Sequence, residues 1–217
     1  MCFSAEVSII TFLIGIIGAF LCIQLNTKVD KIIGYFYGFV ALMQLIEYLL
    51  WMHQKCDNYN KFLSIIGMLL NHLQPIVLGL LVLYFNENNK NKWIIYLILL
   101  VYIIIIVPYS LQFIQSGDFD CTLKDDKQNS HLIWNWNNMN MSSFVYIIFA
   151  LSLALISIFG FPNLKYGILM AVIAVVTFTS SIVLYPAKAI GALWCFYTIF
   201  IIFIYYLLRV TNILIIK

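Results

Sequence analysis

Charge is what this chain has least of. Its 217 residues include 12 basic and 9 acidic ones, 10% in all, where a soluble domain carries roughly a quarter. Water is therefore the wrong solvent for most of it. The cations stand singly, so a net charge of +3 leaves no basic stripe for nucleic acid, and nucleic-acid binding is excluded. Also missing are a Gly-rich dinucleotide fingerprint, a P-loop, a Cys-x-x-Cys pair and a His-Glu-x-x-His zinc helix, which removes those chemistries in their usual sequence form. Strand-like alternation is absent and the apolar runs are too long for barrel strands, which argues against a transmembrane β-barrel.

What the chain has instead is hydrocarbon: 64% hydrophobic residues, 17% aromatic ones and a mean hydropathy of +0.98. A helix crosses a bilayer core of about 30 Å with about 20 apolar residues. Seven stretches qualify, at about 7 to 25, 32 to 52, 62 to 85, 93 to 114, 143 to 161, 166 to 185 and 187 to 208. The expected architecture is all-α, a polytopic membrane bundle forming one domain over residues 1 to 217. Because Glu6 is the only charge before the first run and no small-residue cleavage site follows, that run reads as a retained span rather than a signal peptide.

Seven spans put the two ends on opposite sides. Lys28, Lys31, Lys90, Lys92, Lys165, Arg209 and Lys217 flank one side in short loops, where the positive-inside bias acts most strongly. The opposite side mixes Lys55, Lys61, Lys124, Lys127 and Lys188 with Glu6, Asp57, Asp118, Asp120, Asp125 and Asp126. The expected orientation is N-terminus out, C-terminus in. Short inner loops offer a signalling partner little surface, and the last span lacks the mid-helix lysine of a retinal protein.

Polar residues inside the spans carry the functional expectation. Glu47 is the one acid placed within a span, the other eight being placed at the flanks. An intramembrane carboxylate is costly unless protonated, paired or wetted. Gln44, Glu47 and Trp51 fall at i, i+3 and i+7 and share a helix face. The third span places Asn71, His72, Gln74 and Pro75 near its middle, and Pro75 frees the Asn71 carbonyl from its helical partner. Tyr109, Ser180, Ser181, Trp194 and Cys195 fall at comparable depth. Pro75 apart, these eleven side chains are expected to line a pocket open to the outside. The alternative is that they pack against one another as interhelical hydrogen bonds. Gly34 and Gly38 form a small-xxx-small contact seam in the inner half.

The cysteines sort by location. Cys56 and Cys121 lie in outer loops and can pair as a disulfide in an oxidising compartment, or remain free thiols. Cys22 reads as packing. Cys2 and Cys195 belong to the outer side and, with Glu47 and His72, form a potential four-ligand set for zinc or another transition metal. The segment from about 115 to 142 carries Trp134, Trp136, Met139 and Met141. It is expected to cover the pocket mouth at headgroup depth, where Trp is favoured.

Three motifs carry a resemblance: the opening MCFSA with Ser8, the MQLIEYLLW stretch ending the second span, and LWCF in the seventh. In these the chain resembles an uncharacterised family of multi-spanning membrane proteins known from bacteria and large DNA viruses. The likeness implies a shared site at Cys2, Phe3, Ser4, Ala5, Gln44, Glu47, Trp51, Trp194, Cys195 and Phe196, without implying a reaction. The chain departs from the commoner bacterial pattern in its single Gln before the Glu and in its Asn, Lys and Ile richness, which fits an AT-rich, viral-type origin.

Three functions stay open. The first is an outward pocket that binds or transports a small molecule, proton or metal ion. The second is an intramembrane enzyme with Glu47 or His72 as base and Cys2 or Cys195 as nucleophile or ligand. It would resemble the seven-helix ceramidase-type hydrolases in span count and orientation, although those use several membrane histidines for zinc and this chain places only His72 in a span. The third is a structural or assembly protein. Expected partners are the bilayer and a small-molecule, lipid or ion ligand, with homo-oligomerisation left open.

Overall fold

A computed structural model describes residues 4–116, 121–124, 131–184, 190–211 and 213. Seven α-helices follow one another: α1 (Ala5–Gln24), α2 (Lys28–Met52), α3 (Asn58–Phe85), α4 (Lys92–Ser116), α5 (Ser142–Gly160), α6 (Leu164–Leu184) and α7 (Ile190–Val210). Between α4 and α5 lie two antiparallel two-residue strands, β1 (Leu123–Lys124) and β2 (Leu132–Ile133), and a 3-10 turn at Asn135–Asn138. Six of the helices have described segments long and apolar enough to cross a membrane, and α7 contributes a shorter apolar stretch, Trp194–Val210. The chain is an all-α bundle of the multi-pass membrane kind.

Local chemistry sets the helix starts. Ser4 caps α1 by accepting the Val7 N–H at 3.3 Å, which satisfies one of the donors a first turn leaves open. Asn26 takes a positive φ of 65° and turns the chain tightly into α2, a conformation its short polar side chain tolerates. Thr27 then accepts the Asp30 N–H at 3.1 Å and donates its hydroxyl to the Asp30 carboxylate. α2 therefore begins four residues before its apolar run, and Asp30 sits in its first turn. At α3, Asp57 accepts the Tyr59 and Asn60 N–H groups, each at 3.1 Å. Those cap bonds, chiefly the one from Asn60, and the neighbouring His53 hold the Asp57 carboxyl below the usual carboxylate range.

Helix order in space follows from the contacts. α2 packs on α1, α3 and α7, α3 packs on α2, α4 and α5, and α6 closes the ring between α5 and α7. α5 and α7 likewise each pack on three helices, while α1 and α4 turn broad apolar faces outward, with Ile17, Phe20, Trp93 and Ile104 all exposed. Close approach of α1 and α2 depends on Gly34, where a Cβ would lie 2.9 Å from the Ala19 carbonyl oxygen. This confirms the α2 small-residue seam in structure.

Candidate functional site

α3 is the polar axis of the bundle. Asn71, His72 and Gln74 are all buried at its middle, ahead of the in-helix Pro75, which cannot donate to the Asn71 carbonyl. Their positions around the helix send them to two sides. On the side of α7, the Gln74 carbonyl accepts the Trp194 indole N–H at 2.7 Å and its amide donates to Cys195 Sγ at 3.4 Å. Asn71 also borders the Cys195 sulfur. On the side of α4, His72 Nδ1 bonds Ser110 Oγ at 2.8 Å, the Tyr109 ring lies 5.7 Å away, and the Tyr102 hydroxyl donates to the His72 carbonyl at 2.7 Å.

From α2, Gln44 and Glu47 are fully buried, and both are engaged in contacts. Glu47 lies near Cys195. Trp51, one turn further, is half-buried, and its Nε1 has no hydrogen-bond partner among the described residues. The structure thus brings Asn71, Gln74, Trp194 and Cys195 together with Glu47 close by, and sets His72 and Tyr109 on the other flank of α3. Ser181 is buried and turns its hydroxyl back to the Thr177 carbonyl at 2.8 Å. Ser180 bonds the Val176 carbonyl and borders an apolar opening along α6 with Val175, Val176, Thr179 and Val183.

The segment between α4 and α5 is tied down firmly. Cys56 and Cys121 form a disulfide with a Cα separation of 5.5 Å, as the loop positions allowed. Beside it, Asn60 makes a reciprocal pair with Thr122, its amide donating to the Thr122 carbonyl at 3.0 Å and its oxygen accepting the Thr122 N–H at 2.9 Å. Trp134 and Trp136 are both fully buried within the bundle. Gly67 makes room for Trp134, whose ring carbon would lie 2.7 Å from a Cβ there. Trp136 donates its indole N–H to the Tyr146 hydroxyl at 3.1 Å, and its carbonyl accepts the Tyr109 hydroxyl at 2.5 Å. Its satisfied indole lets the Trp136 ring enter the bundle, whereas Trp134 Nε1 has no hydrogen-bond partner among the described residues. Met139 is half-buried and Met141 exposed.

The four-ligand metal set is not assembled among the described residues. Cys2 lies outside them, as do Asp118, Asp120, Asp125, Asp126 and Lys188, and no three His, Cys, Asp or Glu side chains of the described residues gather as a metal site. His72 turns to Ser110 while Cys195 turns to Gln74.

One acid departs from its expected place at a flank. Asp30 is fully buried in α2, held by Arg209 at 3.0 Å through both Nε and Nη2 and by the Tyr205 hydroxyl at 2.5 Å. The physical reason is the Thr27 cap, which extends α2 past its apolar run. The signal was available: Thr27 followed by Asp30 has the spacing of a capping box. Ser110, Tyr102, Asn60 and Tyr146 also escaped the sequence reading, because their importance lies in partners from distant segments.

Comparison with protein-family models, with curated proteins and with solved structures gives no match.

Proposed function

We propose that this membrane bundle binds or transports a small polar ligand or proton through the buried polar residues on the two flanks of α3, Glu47 beside one and His72 on the other, entered from the end that carries the disulfide. His72 is the observation that supports this most directly. It is 3% exposed, its Nδ1 is held by Ser110, and its Nε2 has no hydrogen-bond partner among the described residues. An unpaired imidazole nitrogen inside the hydrocarbon layer is costly, and a ligand that donates a hydrogen bond to it would repay that cost. A buried carboxylate on α2 and the buried Asn71 amide on α3 supply further polar groups within the same layer. The disulfide favours an oxidising compartment at that end, in keeping with an external N-terminus.

The test is proton flux in liposomes reconstituted with the purified protein. Wild type is expected to dissipate an imposed pH gradient faster than protein-free liposomes, and Glu47→Gln and His72→Phe to lose that flux while retaining helical content. Equal flux in all three proteins overturns a transport role for the cluster. A structural reading draws on the Gln74 bonds to Trp194 and Cys195, which join α3 to α7 without any ligand.

A further inference from the structure

At the Arg209 end of the bundle, α7 packs on both α2 and α6, whereas α2 and α6 make no comparable contact with each other. A slot of about 80 Å³ remains between the three helices, walled by Ile33 and Tyr37 of α2, Met170 and Ile173 of α6, and Ile204 and Tyr205 of α7. That volume is several times the roughly 10–15 Å³ one water needs, but apolar walls give water no partners and such cavities stay dry. Hydrocarbon is the matching occupant. Lipid tails are as apolar as these walls, however, so the slot alone does not choose among lipids.

Selectivity comes from the polar rim at its end. Asp30 precedes Ile33 by three residues, Tyr166 precedes Met170 by four and Arg209 follows Tyr205 by four, so each continues the slot-lining face of its helix. The Tyr166 and Tyr205 rings meet at 6.4 Å and lead to the Asp30–Arg209 pair, which cancels its own charge. Lys28 and Lys165 remain exposed and Lys31 half-exposed at the same end. The lysines give this end of the bundle a positive surface beside the slot, which is complementary to a lipid with a negative headgroup.

We propose that this slot takes a short segment of one acyl chain of an anionic phospholipid from the adjacent leaflet, with the headgroup phosphate within reach of Lys31 and Lys165. The site is separate from the Glu47 and His72 cluster and stands or falls independently of it.

Native mass spectrometry provides the test. Protein would be released from nanodiscs holding equal phosphatidylglycerol and phosphatidylcholine. Wild type is expected to retain one phosphatidylglycerol per chain, with a preference of about tenfold over phosphatidylcholine, given the attraction of each lysine for an anionic surface. Ile173→Trp fills the slot and is expected to lose the retained lipid. The Lys31→Gln, Lys165→Gln double variant leaves the slot intact and is expected to bring the preference close to one. Should Ile173→Trp fail to fold, Met170→Phe serves the same purpose, and the lysine variant tests the rim by itself. Equal retention of both lipids by wild type, or undiminished phosphatidylglycerol in the slot-filled variant, overturns the proposal.

Discussion

Gln74 shows how one residue can hold two helices together. Its amide spans α3 to α7 by accepting from Trp194 and donating to Cys195, so both ends of the group are satisfied away from water. Hydrogen bonds within membranes average less than one might expect from the cost of leaving them unmade, because the separated helices also find partners. Trp194→Phe keeps the ring packed edge-on to Phe149 at 6.2 Å and removes only the indole donor. It is expected to destabilise the protein by about 1 kcal/mol, measured by thermal unfolding in detergent against wild type. Gln74, His72 and Glu47 were legible in the sequence because a polar residue inside an apolar run stands out. Their partners were not legible, since Ser110 and Trp194 are ordinary residues until a neighbouring helix brings them to the right height.

The segment between α4 and α5 behaves as an element built from anchors. The Cys56–Cys121 bond spans 65 residues of chain, and Asn60 repeats the link noncovalently by pairing with Thr122. Closing a loop of that size removes freedom from the unfolded chain, an effect of about 2–4 kcal/mol. Cys121→Ser is therefore expected to lower stability by an amount within that range, while Trp134 and Trp136 stay inserted through Gly67, Tyr109 and Tyr146. Equilibrium unfolding measures the first effect, and acrylamide quenching of tryptophan emission the second. The pairing of Cys56 with Cys121 was legible from their shared side of the membrane. Insertion of the tryptophans was not, because Trp-Asn-Trp reads as an interfacial pattern and only the gap at Gly67 admits the ring.

At the scale of the whole bundle, Asp30 and Arg209 fasten the second helix to the seventh across 179 residues of sequence. The Asp30 side chain is fully buried and that of Arg209 is 12% exposed, so the pair has little access to water. Removing one partner strands a charge, whereas replacing both removes the desolvation cost along with the attraction. Arg209→Met is expected to destabilise by about 3–5 kcal/mol. The double variant Asp30→Leu, Arg209→Met is expected to recover most of that loss. Unfolding of the two variants beside wild type checks both statements, and equal losses in single and double variants would show that the pair does not act as a unit.

By itself the sequence determined the solvent, the fold class and the approximate limits of the helices. Those properties are local: a run of about 20 apolar residues declares itself without reference to the rest of the chain. It also exposed the rare polar residues within the runs. Only the tertiary structure decided which of them meet, placing His72 beside Ser110 rather than Cys195 and burying Asp30 against Arg209. The reason is that lipid-facing and core-facing residues are both apolar here, with Ile17, Leu100, Ile104 and Val172 exposed on chemistry no different from the core's. A soluble helix announces its buried side by a stripe. In this chain the rotation of each helix, and hence every contact between helices, is fixed by packing and by the few polar groups that must find one another.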